Sequence, residues 1–297
     1  MSARPRCWGV YRELAHSPGR ETDDALILRA TAAALEERGF PVELRSAEEL
    51  PETEDAAGVP PFLFVMCERP AAVERLASWE RRGARIVNRP EAIRNTDRER
   101  TLERFARQAI AFPESVLVAT DGRAGAGAAL AAAPAFPLWI KRGDVHATQA
   151  GDVSRADSPE ELSAGLARLA SRGIARAVLQ EHVPGDLIKF YGVAGETDGA
   201  APAWFQWFYH RDQVLANHAF GEEALRTLVG RAAAALGLEV FGGDAIAGPG
   251  GRLVLIDLNA WPSFALYRDA AAPRIADALA ARFRRKERRE RPVGALR

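Results

Sequence analysis

The sequence predicts an α/β and α+β protein: an N-terminal α/β domain with a parallel sheet, followed by a two-lobed module of helices and antiparallel strands. Three observations carry this. Over residues 1–90, short apolar runs alternate with helical stretches, the pattern of parallel strands joined by right-handed crossovers. Farther on, strand-like runs follow one another across tight turns, as hairpins do. The length, 297 residues, exceeds what one simple core holds and suits two or three packed subdomains.

Cys7–Tyr11 is the first apolar run and predicts a strand. After the polar stretch His16–Asp24, a helix is predicted over Asp23–Arg38, with Leu26, Ala30, Ala33 and Ala34 apolar and Gly39 in the stop position. Val42–Leu44 and Phe62–Cys67 are the next strands, the latter preceded by Pro60-Pro61. A helix over Ala71–Arg82 stops at Gly83, and Arg85–Val87 is the fourth strand. No G-x-G-x-x-G is present in this domain, so no dinucleotide site is expected.

Asn88-Arg89-Pro90 reads as a linker. Glu91–Gln108 reads as one or two helices, strongest over Asp97–Gln108, and Ile110–Pro113 breaks them. Ser115–Ala119 is a strand. Residues 121–137, rich in Gly, Ala and Pro, suit a short helix between loops. Leu138–Lys141 is a strand. Ser158–Ser171 is a helix with Ser158 as N-cap and Glu160-Glu161 in its first turn. Ala177–Glu181 is a strand ending at the turn Pro184-Gly185. Leu187–Val193 and Ala203–His210 are expected to pair antiparallel. Glu222–Leu236 is a helix. Phe241–Ala247 and Leu253–Leu258 form a hairpin across Gly248-Pro-Gly-Gly251. A closing helix runs over Tyr267–Arg285 and contains Pro273. The division is therefore 1–90, 91–282 (lobes 91–183 and 184–282), and a basic tail, 283–297, expected to be flexible.

Composition narrows the function classes. Lys+Arg and Asp+Glu are both 40, so the formal net charge is zero, and neither nucleic acid nor an anionic membrane is an expected partner. Arg282–Arg291 is one-signed enough to be a nucleic-acid or lipid patch, but Glu287 and Glu290 interrupt it, as in a solvated helix end. Cys7 and Cys67 each lie in an apolar run, which predicts buried, reduced thiols and a cytoplasmic compartment. The N-terminus lacks a signal-peptide apolar core, and no run approaches the length of a membrane span.

The chemistry is carried by polar residues on the strands. Lys141 ends the run Pro137-Leu-Trp-Ile, where a lysine can meet phosphate oxygens or simply be solvated. The loop after it, with His146 and Thr148, offers backbone N–H groups. In Val178-Leu-Gln-Glu-His-Val183 an apolar strand runs into Gln180 and Glu181, suited to reading a nucleobase by its edge. Asp186 is a candidate for a ribose hydroxyl. Lys189, with apolar neighbours on both sides, needs an anion: a phosphate, or a protein carboxylate. Asp257 and Asn259 stand two apart on one strand and so share a face, and the hairpin sets Asp244 beside them. Two carboxylates and an amide oxygen suit Mg²⁺; a hydrogen-bonded hairpin without metal is the alternative.

In order and spacing, Lys141, Gln180-Glu181-His-Val183, Lys189, Asp244 and Asp257-x-Asn259 resemble the ATP-grasp superfamily. Asn88-Arg-Pro-Glu-Ala-Ile93 with Asp97-Arg98 resembles the family's opening segment, and Phe112-Pro113 its usual turn. The resemblance covers residues 85–282, and residues 1–90 look like the domain that precedes this module in the family. It implies ATP between two α+β lobes and one or two Mg²⁺ (or Mn²⁺) on Asp244, Asp257 and Asn259. Lys141, Lys189, Arg98, His146 and Thr148 would serve the phosphates or base, and Gln180, Glu181, His182 and Val183 the adenine hinge. The family often has lysine where Arg98 stands. Many of its ligases have Glu-x-Asn where this chain has Asp257-Leu-Asn259, a feature closer to inositol phosphate kinases, as is Leu187-Ile-Lys189-Phe-Tyr191.

The implied activity is an ATP- and Mg²⁺-dependent carboxylate–amine ligase working through an acylphosphate on a small molecule. Arg211 and Lys141 are the candidate catalytic groups. A kinase of a small polyol or inositol phosphate-like substrate is the alternative, and a non-catalytic nucleotide-binding protein a further one. Arg20, Ser263 and Arg268 are candidate substrate contacts. The resemblance is compatible with a homodimer.

Overall fold

The structure, a computed structural model, describes residues 6–14, 21–51, 58–121, 126–145, 149–195 and 201–284. Three four-stranded sheets organise it. The first is parallel, with order β2-β1-β3-β4, from β1 (Cys7–Val10), β2 (Val42–Arg45), β3 (Phe62–Val65) and β4 (Arg85–Val87). Its strands β1 and β3 are buried throughout, as strands covered on both faces must be. Helices α1 (Glu21–Glu37) and α2 (Pro70–Arg81) make the crossovers.

One part of the α1 reading needs correction. The buried face is Ile27, Leu28, Thr31 and Leu35, whereas Leu26 is exposed. An alanine-rich helix gives little contrast between faces, and the pair Ile27-Leu28 decides which one turns inward. That face packs on the last helix, α8 (Arg268–Arg284), through Ile275, Leu279 and Phe283. Phe283 stacks on Phe62 at 4.5 Å, so the first residue assigned to a flexible tail belongs to the core. Residues 285–297 lie outside the described residues.

The second sheet is antiparallel, β5-β8-β6-β7, from β5 (Ser115–Ala119), β6 (Leu138–Arg142), β7 (Val153–Ala156) and β8 (Arg176–Glu181). β7 was not expected: Val153-Ser-Arg-Ala156 is too short and polar to stand out, and its pairing with β6 defines it. One face of this sheet packs on α5 (Ala126–Ala132) and α6 (Pro159–Ser171). Ser158 caps α6 as expected, its hydroxyl accepting from the Glu161 amide.

The third sheet, β10-β9-β11-β12, is also antiparallel, from β9 (Asp186–Val193), β10 (Trp204–Tyr209), β11 (Val240–Ala247) and β12 (Leu253–Ala260). Its back face packs on α7 (Glu222–Leu236). The helical stretch after the linker is two helices, α3 (Pro90–Arg94) and α4 (Arg98–Arg107). Asn88 is fully buried and ties the first sheet to the third: its Nδ2 donates to Val240 O, and its Oδ1 accepts from the amides of Glu239 and Val240. Cys7 and Cys67 are buried, and neither forms a disulfide. Among the described residues no helix is long and apolar enough to cross a membrane.

Candidate functional site

The second and third sheets face each other across a cleft, and strand alternation decides what each presents. In the second sheet, Leu138, Ile140, Ala177 and Leu179 point to α5 and α6, so Trp139, Lys141 and Gln180 point the other way. In the third, Ile188 and Phe190 of β9 and Ala245 and Ala247 of β11 join the core over α7. The opposite face presents Leu187 and Lys189 from β9 and Asp244 and Ile246 from β11.

On β12 the alternation changes phase. Asp244 pairs with Asp257 but Ala245 pairs with Leu255, so Ile256 is an extra residue and β12 bulges there. Leu255 lies in the core before the bulge, and Leu258 and Ala260 lie in it after. The cleft face therefore receives Val254 and Ile256 and then Asp257 and Asn259. A regular strand would have sent Val254 and Asp257 to opposite faces. The bulge sets the polar pair in line with the apolar platform of Val183, Leu187, Ile246, Val254 and Ile256. The Lys141 ammonium, reaching over from the second sheet, donates to the carbonyl of that same bulged Ile256 at 3.4 Å.

The charges meet here. Lys189 stands opposite Asp244 in the ladder, and its Nζ donates to Asp244 Oδ1 at 2.8 Å. Burial pushes the Asp244 carboxyl up from its ordinary value, with Lys189 opposing that shift. Lys141 is buried, and desolvation, aided by Arg98, lowers its ammonium to about 8 against the pull of Asp257 and Asp244. One Asp257 oxygen accepts from the Leu258 amide at 3.0 Å. Asn259 makes no side-chain hydrogen bond among the described residues, so its amide oxygen is available. Close backbone packing is essential to this arrangement. A Cβ on Gly243 would stand 2.2 Å from the Asp257 carbonyl oxygen.

Among the described residues no three His, Cys, Asp or Glu side chains gather as a self-sufficient metal cage. Two carboxylates and an unengaged amide on one face suit magnesium, which keeps water and phosphate among its ligands. Asp244, already holding an ammonium, is a carboxylate with a demand for positive charge. The donor set fits that ion.

The other expected residues divide. Arg98 opens α4, is buried, and donates from Nη1 to the carbonyls of Arg142 and Val145 at 3.0 and 2.7 Å, propping the loop after β6. Gln180 is buried and donates to Ser115 Oγ, while Glu181 accepts from the Glu114 amide. Their side chains thus brace β5 against the hinge. His182 Nδ1 accepts from Trp139 Nε1 at 3.2 Å, and burial lowers its imidazolium pKa. Asp186 is buried and accepts from the amides of Ala216 and His218, so its two oxygens hold the loop after β10. Arg211 is exposed in that loop. Arg268 pairs with Asp23 at 2.7 Å, and Ser263 is buried just beyond β12. Arg20, His146 and Thr148 lie outside the described residues.

Sequence reasoning missed a buried ionic cluster against the end of β12. Arg12 binds Asp24 at 3.1 Å and Glu68, and its Nη2 donates to the carbonyls of Ala260 and Trp261. Glu13 accepts from the amides of Glu68 and Arg69. The signal was present as charged residues immediately after the apolar runs that became β1 and β3.

No protein-family model and no curated protein sequence matches the chain. Solved structures do. A RimK domain ATP-grasp protein from Sphaerobacter thermophilus superposes with TM-score 0.69 at 19% identity, over 92% of this chain and 98% of that one. D-alanine–D-alanine ligase from Bacillus anthracis complexed with ATP gives 0.67 at 12%, over 95% and 97%. The ATP-grasp ligase PsnB complexed with a minimal precursor, Mg and ADP gives 0.62 at 18%, over 94% and 98%. With the two facing antiparallel sheets, the parallel sheet before them and near end-to-end superposition, the chain has the ATP-grasp fold.

Proposed function

We propose that this chain is an ATP- and Mg²⁺-dependent ligase that joins a carboxylate to an amine through an acylphosphate. The observation that carries the reading is the convergence of Lys141 and Lys189 with Asp244 and Asp257 on the cleft faces of two sheets. ATP lies in the cleft, its base on the platform of Leu187, Ile246 and Ile256 beside the hinge His182-Val183, its phosphates toward the lysines. Asp244, Asp257 and Asn259 would hold magnesium, which would supply Lewis-acid stabilisation of the phosphoryl group. Lys141 and Lys189 stabilise charge on the phosphoryl group as a substrate carboxylate oxygen attacks it and ADP leaves. The amine then attacks the acyl carbon and phosphate departs. Arg211 steadies the acylphosphate, and Arg98, His146 and Thr148 serve the nucleotide's phosphates. Ser263, Arg268 and Arg20 contact the small-molecule substrate.

The ligase names of two similar folds support this choice. A second reading, phosphoryl transfer to a polyol, draws on aspartate rather than glutamate at position 257 and on Leu187-Ile-Lys189-Phe-Tyr191. The test is the melting temperature with Mg²⁺ and ATP, in wild type and in Asp257→Ala/Asn259→Ala. Nucleotide at about 100 times its Kd adds roughly 2.7 kcal/mol of stability. A shift in wild type that is largely lost in the variant is expected, and no shift with nucleotide in excess overturns the reading. Phosphate release that requires both an acid and an amine then marks the ligase. Transfer to an alcohol without release marks the kinase.

A further inference from the structure

A cavity of about 610 Å³ opens on the C-terminal lobe, away from the cleft, within the size range of small-molecule sites. It lies where the ends of β9 and α7, the start of β10 and β11, and the outer side of α8 meet. Its apolar lining includes Val193, Trp204, Leu238 and Phe241, and charged groups stand around it: Arg89, Arg274, Arg282, Glu239 and Asp277.

Most of those charges are already balanced. Arg89 pairs with Glu80 at 2.7 Å, Arg282 with Glu239 at 3.6 Å, and Asp277 with Arg38 at 2.8 Å. Arg274 is the exception. It lines the cavity and has no carboxylate partner among the described residues. One uncompensated guanidinium above an apolar floor specifies the complement: one negative charge on an apolar body. A guanidinium fork matches a carboxylate geometrically, and the indole face of Trp204 suits a hydrocarbon or ring.

We propose that this cavity is a second ligand site, one that takes a small organic carboxylate. Arg274 receives the carboxylate, and the body of the ligand rests on Trp204, Ala234, Ala278 and Ala281. The site shares strands with the nucleotide cleft. Val193 pairs with Val240 at the cavity end of β9 and β11, and Lys189 pairs with Asp244 four residues along, about 13 Å away. The proposal does not depend on the ligase reading, because the cavity and its unpaired cation exist without nucleotide.

Trp204 provides a native reporter. The nucleotide-free full-length chain is titrated with benzoate, and binding is followed both by tryptophan fluorescence and by ligand-observed NMR. Benzamide, acetate and inorganic phosphate serve as controls lacking charge, body and both carbon features. Expected is saturable benzoate binding, with a fluorescence change that disappears in Trp204→Phe. Arg274→Gln, a change at an exposed position, weakens binding at least about tenfold without moving the melting temperature. Ala281→Phe, on the exposed side of α8 that lines the cavity, abolishes it. The proposal is overturned if NMR detects no saturable benzoate binding, if benzamide binds as tightly, or if binding is unchanged in Arg274→Gln and Ala281→Phe.

Discussion

Lys141 holds a charge in a place that penalises it. Its ammonium is lowered from 10.5 to about 8, chiefly by desolvation. Below pH 8 the folded chain bears the full cost of a buried charge, and that cost is relieved as pH rises from about 8 toward 10.5, so this group makes stability rise with pH across that window. Phosphate binding needs the charged form, so ATP affinity should fall as pH rises through 8. Titration calorimetry at pH 7 and 9 checks this, and in Lys141→Arg the fall should vanish. Lys141→Met should lose nucleotide binding yet melt higher at pH 7, by roughly 2–4 °C for each 1 kcal/mol of relieved desolvation. Substitution at Lys189 should have the opposite effect on stability, because its ammonium is paired with the Asp244 carboxylate. Lys189→Met leaves Asp244 without its cation. The protein should become less stable by about 1.5–3 kcal/mol in urea, the range for a hydrogen bond to a charged group. It should also bind Mn²⁺ more tightly without nucleotide, as read by electron spin resonance, because the competing ammonium is gone.

At the scale of elements, the bulge in β12 is the feature on which the site depends. Gly243→Ala forces a Cβ against the Asp257 carbonyl and the Phe190 ring, and neither can retreat from a packed ladder. It should cost about 1–3 kcal/mol, the overpacking range, and abolish the melting shift with Mg²⁺ and ATP while the protein remains folded at 25 °C. The residues of this hairpin were legible in the sequence, because Asp244, Asp257 and Asn259 interrupt otherwise apolar strands. The bulge was not. Period-two counting already put Asp257 and Asn259 on one face, and it could not show that Val254 and Ile256 share it, since that depends on pairing with β11. The same limit applies to β7, which exists by virtue of its partner, and to α1, where alanines hid the inward face. Gln180, Glu181 and Asp186 were found by type and position, yet their side chains are engaged by Ser115, Glu114 and residues 216–218. A sequence gives a polar group's chemistry but not the neighbour that takes it up.

At the scale of the molecule, the parallel sheet and the third sheet share two hydrophobic clusters, and Asn88 adds buried hydrogen bonds between them. Asn88→Ala removes three hydrogen bonds and leaves the Glu239 and Val240 amides without their acceptor, while the Val240 carbonyl keeps the Trp261 amide. At about 1–3 kcal/mol for each unsatisfied group, a loss of at least about 2 kcal/mol is expected in urea unfolding. A lowered m-value would accompany it if the N-terminal unit then unfolds on its own. The packing of α8 on α1 has a consequence for how the protein is made. The core around α1 is closed by α8, far later in the chain, through Ile275, Leu279 and Phe283 against Ile27, Leu28 and Leu35. A nascent chain therefore carries an exposed apolar seam on α1 until α8 has emerged from the ribosome. Messages truncated before the codons for α8 should yield products that chaperones retain and proteases clear, rather than shortened but serviceable proteins.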